Sequence, residues 1–446
     1  MTKTRKHLIL ALTAALAISL AGCASSNNNS TTNPSSNQVF TPGNDRGNWG
    51  WPMGNSNIAP TSDFTTDYSV STLFTDRDLK QEADLSEAQT ITLSDGQMVT
   101  VNVEGVYVVN GIAKNATVIV EADDSAKVQL VLDGLNVTND DYPVIYVKSA
   151  DKVFVTLNGE NYLAVTGTFK TDGTEEVDAV IYAKDDITLN GSGSLTVKST
   201  ADGITGKDDL KITGGTYDIT AANHGIKGKD SVRIADGTFT INAGKDGIHS
   251  SNDSEEDKGY IYIADGTFNI TAKSDGIQAV SVLQIADGDI TINGAEGLEA
   301  TYVLVDGGNI SINASDDGIN ATLKGTSGTP TIMINGGEVT VKMGAGDTDA
   351  LDANGNLYIK GGTVKITAQF AFDYDGEGVL SGGTVYVNDQ QVTTITNSMM
   401  NGGGFGGKGG GFNPGENPGG NGNFNPGGNK PQRPDRNSSQ EEGQNF

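Results

Sequence analysis

The chain has 446 residues, with 29 basic and 56 acidic side chains and a formal net charge of −27 at pH 7. That balance argues against nucleic acid as a partner, because phosphate binding needs a basic face. It suits cations, neutral polymers, or acidic polymers held through bridging cations. Hydrophobic residues make up 36% and glycine fills 60 positions; set against roughly 45–50% and about 7% in ordinary domains, this describes a thin core with many turns.

The N-terminus reads as an export signal. Lys3, Arg5 and Lys6 form a positive start, and residues 8–20 form an apolar run too short to span a bilayer comfortably. The run ends in Leu20-Ala21-Gly22-Cys23, which looks like a bacterial lipobox. Residues 1–22 are therefore expected to be a lipoprotein signal peptide and Cys23 the lipidated first residue of the mature chain. The expected product is a membrane-anchored, monomeric protein at the bacterial cell surface or elsewhere outside the cytoplasm. Cys23 is the only cysteine, so an exported chain gains no intramolecular disulfide and depends on packing, backbone pairing and metal. Residues 23–72, rich in Asn, Ser, Thr, Gly and Pro, read as a flexible tether. Its tryptophans Trp49 and Trp51 could stack on sugar rings but have no folded frame to hold them.

Order is expected to begin near Leu73. From Ile91 onward the text alternates as strands, for example Val99-Thr100-Val101-Asn102-Val103, broken by Asp-Gly and Asn-Gly turns, and helical periodicity is absent. A phrase of an acid, then Gly, then Ile or Leu recurs at Asp202, Asp246, Asp275, Glu296 and Asp317, with His224 in one slot and relaxed copies at Asp178 and Asp349. Its first residue advances in steps of 24, 22, 22, 29, 21, 21 and 32 residues, the signature of a solenoid. A second register agrees. Gly215, Gly237, Gly266, Gly288, Gly308, Gly337, Gly362 and Gly383 precede strands whose apolar columns start at Tyr217, Phe239, Phe268 and Ile290 and repeat two residues on, at Ile219, Ile241, Ile270 and Ile292. Alternation puts both columns on one face, into a core. Coils of about 22 residues hold three short strands and three bends, so the expected fold is all-β, a right-handed parallel β-helix over residues 73–398. Inserts lengthen coils at 250–258, 324–330 and 343–348, and residues 399–446 read as a disordered Gly/Asn/Pro-rich tail.

Phe74-Thr75-Asp76-Arg77-Asp78-Leu79, the block Val128-Gln129-Leu130-Val131-Leu132-Asp133-Gly134, and Lys207-Asp208-Asp209-Leu210-Lys211-Ile212 carry a resemblance. Roughly residues 72 to 395 resemble the bacterial carbohydrate-binding-domain proteins with a polysaccharide-lyase-like β-helix. That resemblance implies a secreted β-helix that binds calcium on one face and binds cellulose-type or acidic polysaccharides without demonstrated cleavage.

The residues themselves suggest where metal sits. Equivalent side chains on successive coils stand about 4.8 Å apart, where two bare carboxylates repel by about 3.5 kcal/mol at an effective dielectric near 20. A calcium ion relieves this and accepts flexible oxygen coordination. A softer metal is disfavoured by the lack of cysteine and by only two histidines, His224 and His249, in the mature chain. The position two after Gly in the phrase carries Thr205, Lys227, His249, Gln278, Glu299, Asn320, Asp352 and Asp373 in successive coils. Candidate calcium ligands are thus Asp202, Asp246, Asp275, Glu296, Glu299, Asp317, Asn320, Asp349, Asp352 and Asp373. The bland alternative is that Asp-Gly is a favoured bend pair in which each Asp caps its own backbone. Lys207, Lys227, Lys229 and His249 form a candidate strip for carboxylated sugars, against which stands an ordinary solvated face.

The function expected is a non-catalytic surface protein binding polysaccharide along a calcium-stabilised β-helix. A pectate-lyase-like β-eliminase is the second reading, with Lys227, Lys229 and Arg233 as candidate bases. A third is an adhesin or spacer that merely projects something from the surface.

Overall fold

The computed structural model describes residues 66–397 apart from 347. The expected export signal, Cys23, both tryptophans and the glycine-rich tail lie outside the described residues. Within them run 36 strands and one four-residue helix, Val70–Leu73. The strands fall into a 12-stranded and a 24-stranded sheet, and each regular coil contributes one strand to the first and two to the second. One coil holds Asp202–Gly206, Asp209–Ile212 and Thr216–Ala221; the next holds Ile226–Gly228, Ser231–Ile234 and Thr238–Ala243. Pairing between coils is parallel, with Ile204 opposite Ile226, Leu210 opposite Val232 and Tyr217 opposite Phe239. The stack closes on a short antiparallel pair, Thr384–Val387 with Gln390–Val392. This is the solenoid of three-stranded coils that the repeat predicts.

Both expected columns lie in the core. Tyr217, Phe239, Phe268 and Ile290 are about 1% exposed, and Ile219, Ile241, Ile270 and Ile292 are fully enclosed. The three aromatic rings stack nearly parallel at 5.0 and 4.7 Å between centroids. A third column, Ile204, Ile226, Ile248, Ile277, Leu298, Ile319 and Leu351, comes from the acid-Gly-Ile phrase and closes the core from the 12-stranded sheet.

The two glycine registers serve different needs. The turn glycines have positive φ, as at Gly215 (98°), a conformation that side chains resist. The phrase glycines have no such torsion and are required by crowding. A Cβ on Gly276 would sit 2.3 Å from Ile292 Cγ2 and 2.7 Å from the Gly297 carbonyl oxygen. The glycine lets one coil's backbone lie directly on the next coil's core residue.

One element has no counterpart in the repeat. Residues 66–81 form a strap across the outer face of the 24-stranded sheet. Thr66 bonds Gln284, and Tyr68 stacks on Tyr260 at 4.6 Å. Arg77 lies over the Phe154 ring at 4.3 Å, and Gln81 spans the Thr213 carbonyl (2.9 Å) and the Gly191 amide (2.8 Å). At its centre Asp78, fully buried, takes hydrogen bonds from the Thr75 amide and Thr188 hydroxyl, both at 2.9 Å. It also pairs with Lys152 at 2.6 Å and Lys211 at 3.4 Å. Those cations hold its carboxyl well below the usual range despite the opposing effect of burial.

Candidate functional site

The 12-stranded sheet carries both phrase columns, and its register matches the expected order in all but one coil. Lys227 lies opposite His249, Gln278 opposite Glu299, Glu299 opposite Asn320, and Asp352 opposite Asp373. The exception is Asp178. Ile204 pairs with Ile181, not Val180, so Asp202 faces Ala179 and the relaxed copy is out of step by one residue. The apolar text Ala179-Val180-Ile181 offers two fits, and the structure takes the later one.

The slot carboxylates also seal the backbone, though not their own. Asp202 Oδ1 accepts the His224 amide at 3.0 Å, Asp246 Oδ1 the Asp275 amide at 3.2 Å, and Asp317 Oδ1 the Asp349 amide at 3.2 Å. Each acid caps the equivalent residue of the following coil, satisfying a donor at a bend where the sheet ladder is interrupted.

Of the ten candidate calcium ligands, the structure gathers four. Carboxylate oxygens of Asp275, Glu296 and Glu299 lie within 4.8 Å of one another. Asn320 Nδ2 donates to Glu296 Oε2 at 3.0 Å and to Glu299 Oε1 at 3.3 Å, while its Oδ1 is buried without a hydrogen-bond partner. Gln278 Nε2 and Lys324 Nζ each reach Glu299 Oε2 at 2.5 Å. Burial and the neighbouring carboxylates push Asp275 up to about 9 and Glu296 up to about 8. Three carboxyls here cannot all ionise without a cation. Asp317 and Asp349 continue the column beyond the cluster, and Asp373 receives a hydrogen bond from Asn397 at 3.0 Å.

Asp202 and Asp246 belong to a different group. His224 lies between them, its Nδ1 2.9 Å from Asp202 Oδ1 and its Nε2 3.4 Å from Asp246 Oδ2. Lys227 Nζ approaches Asp202 Oδ2 at 3.3 Å, and His249 Nδ1 lies 2.9 Å from Asp246 Oδ2. Burial opposes the charge on Asp202, but His224 and Lys227 overcome it and hold the carboxyl at about 2. An all-oxygen calcium shell across these coils is thereby replaced by a mixed histidine–carboxylate cluster. Two members of the candidate sugar strip, Lys227 and His249, are engaged in it, while Lys207 and Lys229 are exposed.

The candidate bases fare differently. Arg233 is bound to Asp209 at 2.5 Å, to Ser231 Oγ at 2.9 Å and to the Leu73 carbonyl at 3.5 Å, beneath the strap. Lys227 is paired with Asp202, and Lys229 stands exposed. Two of the expected inserts meet, Ser327 Oγ lying 3.0 Å from Glu256 Oε1, so 250–258 and 324–330 decorate the same side of the coil beside both clusters.

Comparison with known proteins places the chain. A curated relative from Acetivibrio thermocellus, described as a carbohydrate-binding domain-containing protein, is 35% identical over 173 residues, 38% of this chain. The match spans 59% of that relative's length. A solved structure, the gadolinium derivative of a polysaccharide lyase-like protein from C. thermocellum, is 32% identical over 50% of this chain and 93% of that one, with a TM-score of 0.43. The family model described as carbohydrate-binding domain-containing protein matches residues 95–376 and again 293–402, and the chain belongs to that family.

Proposed function

We propose that this protein binds polysaccharide non-catalytically along its solenoid and that calcium stabilises the binding face. The family supports a carbohydrate ligand. The observation that carries the calcium component is the convergence of Asp275, Glu296 and Glu299 within 4.8 Å in a buried setting that disfavours their ionisation. The donor set is all oxygen, as calcium prefers. With the Asn320 amide turned over, its buried Oδ1 would join the three carboxylates as a ligand.

Two surfaces suit two polymers. Exposed Lys207 and Lys229, on adjacent coils, match carboxylated sugars. The outer face of the 24-stranded sheet presents Thr216, Thr238, Thr267 and Asp289 in one exposed row and Asp218, Thr240, Asn269 and Thr291 in the next. This flat array of hydroxyls, amides and carboxylates suits a neutral, cellulose-like chain. The reading includes a right-handed coil, the hand taken by nearly all parallel crossovers, and a lipid anchor at Cys23 that keeps the protein at the bacterial surface.

Affinity electrophoresis through gels containing polygalacturonate or a soluble cellulose ether tests the ligand, with retardation expected in one of them. Ultraviolet absorbance from unsaturated uronides would instead establish the lyase reading. Unchanged migration in both gels would leave the spacer reading standing.

A further inference from the structure

His224 and His249, the two histidines among the described residues, sit on adjacent coils with rings stacked at 4.5 Å. We infer that His224 Nε2, Asp246 Oδ2 and His249 Nδ1 form a three-ligand site for a zinc-class transition metal. The site is separate from the carboxylate cluster assigned to calcium, and the inference does not depend on the sugar-binding reading.

The spacing fits. A tetrahedral ion about 2.0–2.1 Å from nitrogen and oxygen donors sets those donors about 3.3 Å apart. Asp246 Oδ2 stands 3.4 Å from His224 Nε2 and 2.9 Å from His249 Nδ1, and the three atoms lie within 4.8 Å of one another. Small rotations of the side chains bring all three to the required distance and leave the fourth position for water or a ligand.

Each donor atom is also oriented by its other contacts. His224 Nδ1 is fixed 2.9 Å from Asp202 Oδ1, which directs Nε2 towards the site and reproduces the carboxylate–histidine–metal arrangement of known centres. Lys227 holds the other oxygen of Asp202. Asp246 Oδ1 is occupied by the Asp275 amide, so Oδ2 is the oxygen that remains. His249 Nδ1 is the telling atom. It is buried and makes no hydrogen bond, although Asp246 Oδ2 is only 2.9 Å away, so the contact is close but misdirected. A buried imidazole nitrogen without a hydrogen bond costs stability, and a shared metal removes that cost. Two imidazoles and one carboxylate select zinc, copper or nickel over calcium or magnesium.

The test is a zinc titration of the metal-stripped full chain against a chromophoric chelator, with cobalt absorbance as an independent report of tetrahedral nitrogen ligation. One equivalent of zinc is expected, together with the intense visible bands of four-coordinate cobalt. His249→Ala and His249→Gln should each weaken binding by at least about 100-fold, and Asp202→Asn by about 10–100-fold. Glu338→Gln, exposed and paired with Lys365, should leave zinc affinity unchanged. Far-UV circular dichroism confirms that each variant is folded, and the two His249 substitutions carry the test if His224→Ala unfolds. No saturable zinc uptake by the wild-type chain would overturn the inference. So would equal affinity in folded His249 variants, or loss of binding on Glu338→Gln alone.

Discussion

Lys324 reaches from the 324–330 insert to within 2.5 Å of Glu299 Oε2, placing a cation against one of three converging carboxylates. It does not suffice for all three, and Asp275 and Glu296 respond by retaining protons to about 9 and about 8. Their unfolded counterparts ionise near 4. Between those values the folded state binds more protons than the unfolded one, so stability falls as pH rises. In chelator the melting temperature should drop by several degrees from pH 5 to pH 8, and added calcium should restore it. Lys324→Met should steepen the loss, since Lys324 lowers the Glu296 pKa. Thermal melts across pH with and without calcium check this, and a flat profile in chelator would contradict it.

The strap is expected to depend on Asp78. Asp78→Ala leaves Lys152 and Lys211 in a buried setting without their shared carboxylate. Removing one partner of a buried pair typically costs about 3–5 kcal/mol. Part of that cost should be local detachment of residues 66–81. Hydrogen exchange should therefore rise in the strap and on the outer face from Lys152 to Gln284, while the phrase strands stay protected. Unchanged exchange in the strap would refute its anchoring role.

Gly276→Ala should destabilise by about 1–3 kcal/mol through overpacking, because the added methyl meets both a core isoleucine and the neighbouring coil's carbonyl. Gly96→Ala is the matched control. Its φ is +72° but nothing lies within 4 Å of the new Cβ, so it pays only the left-handed torsional cost of about 1–2 kcal/mol. Chemical denaturation of both variants sets the cost of crowding beside that of torsional strain. A loss well below about 1 kcal/mol at Gly276 would show that the phrase glycines do not serve coil-to-coil contact.

The coil was legible because it is written many times. Repetition of Tyr217, Phe239 and Phe268, and of the glycines before them, fixes strand register without any knowledge of distance. The same averaging hides what occurs once. Asp78 finds Lys152 and Lys211 across 74 and 133 positions, a pairing no local pattern announces. Asp178 reads like the phrase yet sits one residue off, since an apolar triplet tolerates either fit. The histidines illustrate a further limit. Their small number argues against a transition metal, whereas the coil period places the two on neighbouring rungs, with Asp246 between their ring nitrogens. The acid column was visible as a column, but which acids meet each other and which meet cations depends on the residues beside them, His224 and Lys227 in one stretch and Glu299 in the next.

Calcium-supported polysaccharide binding is tested by depletion of the full chain onto insoluble pectate and insoluble cellulose, each in calcium and in chelator. Retention on at least one polymer is predicted, reduced by chelator and by the folded double variant Glu296→Gln/Glu299→Gln. A folded protein that stays in the supernatant of both polymers, with calcium present, would contradict it.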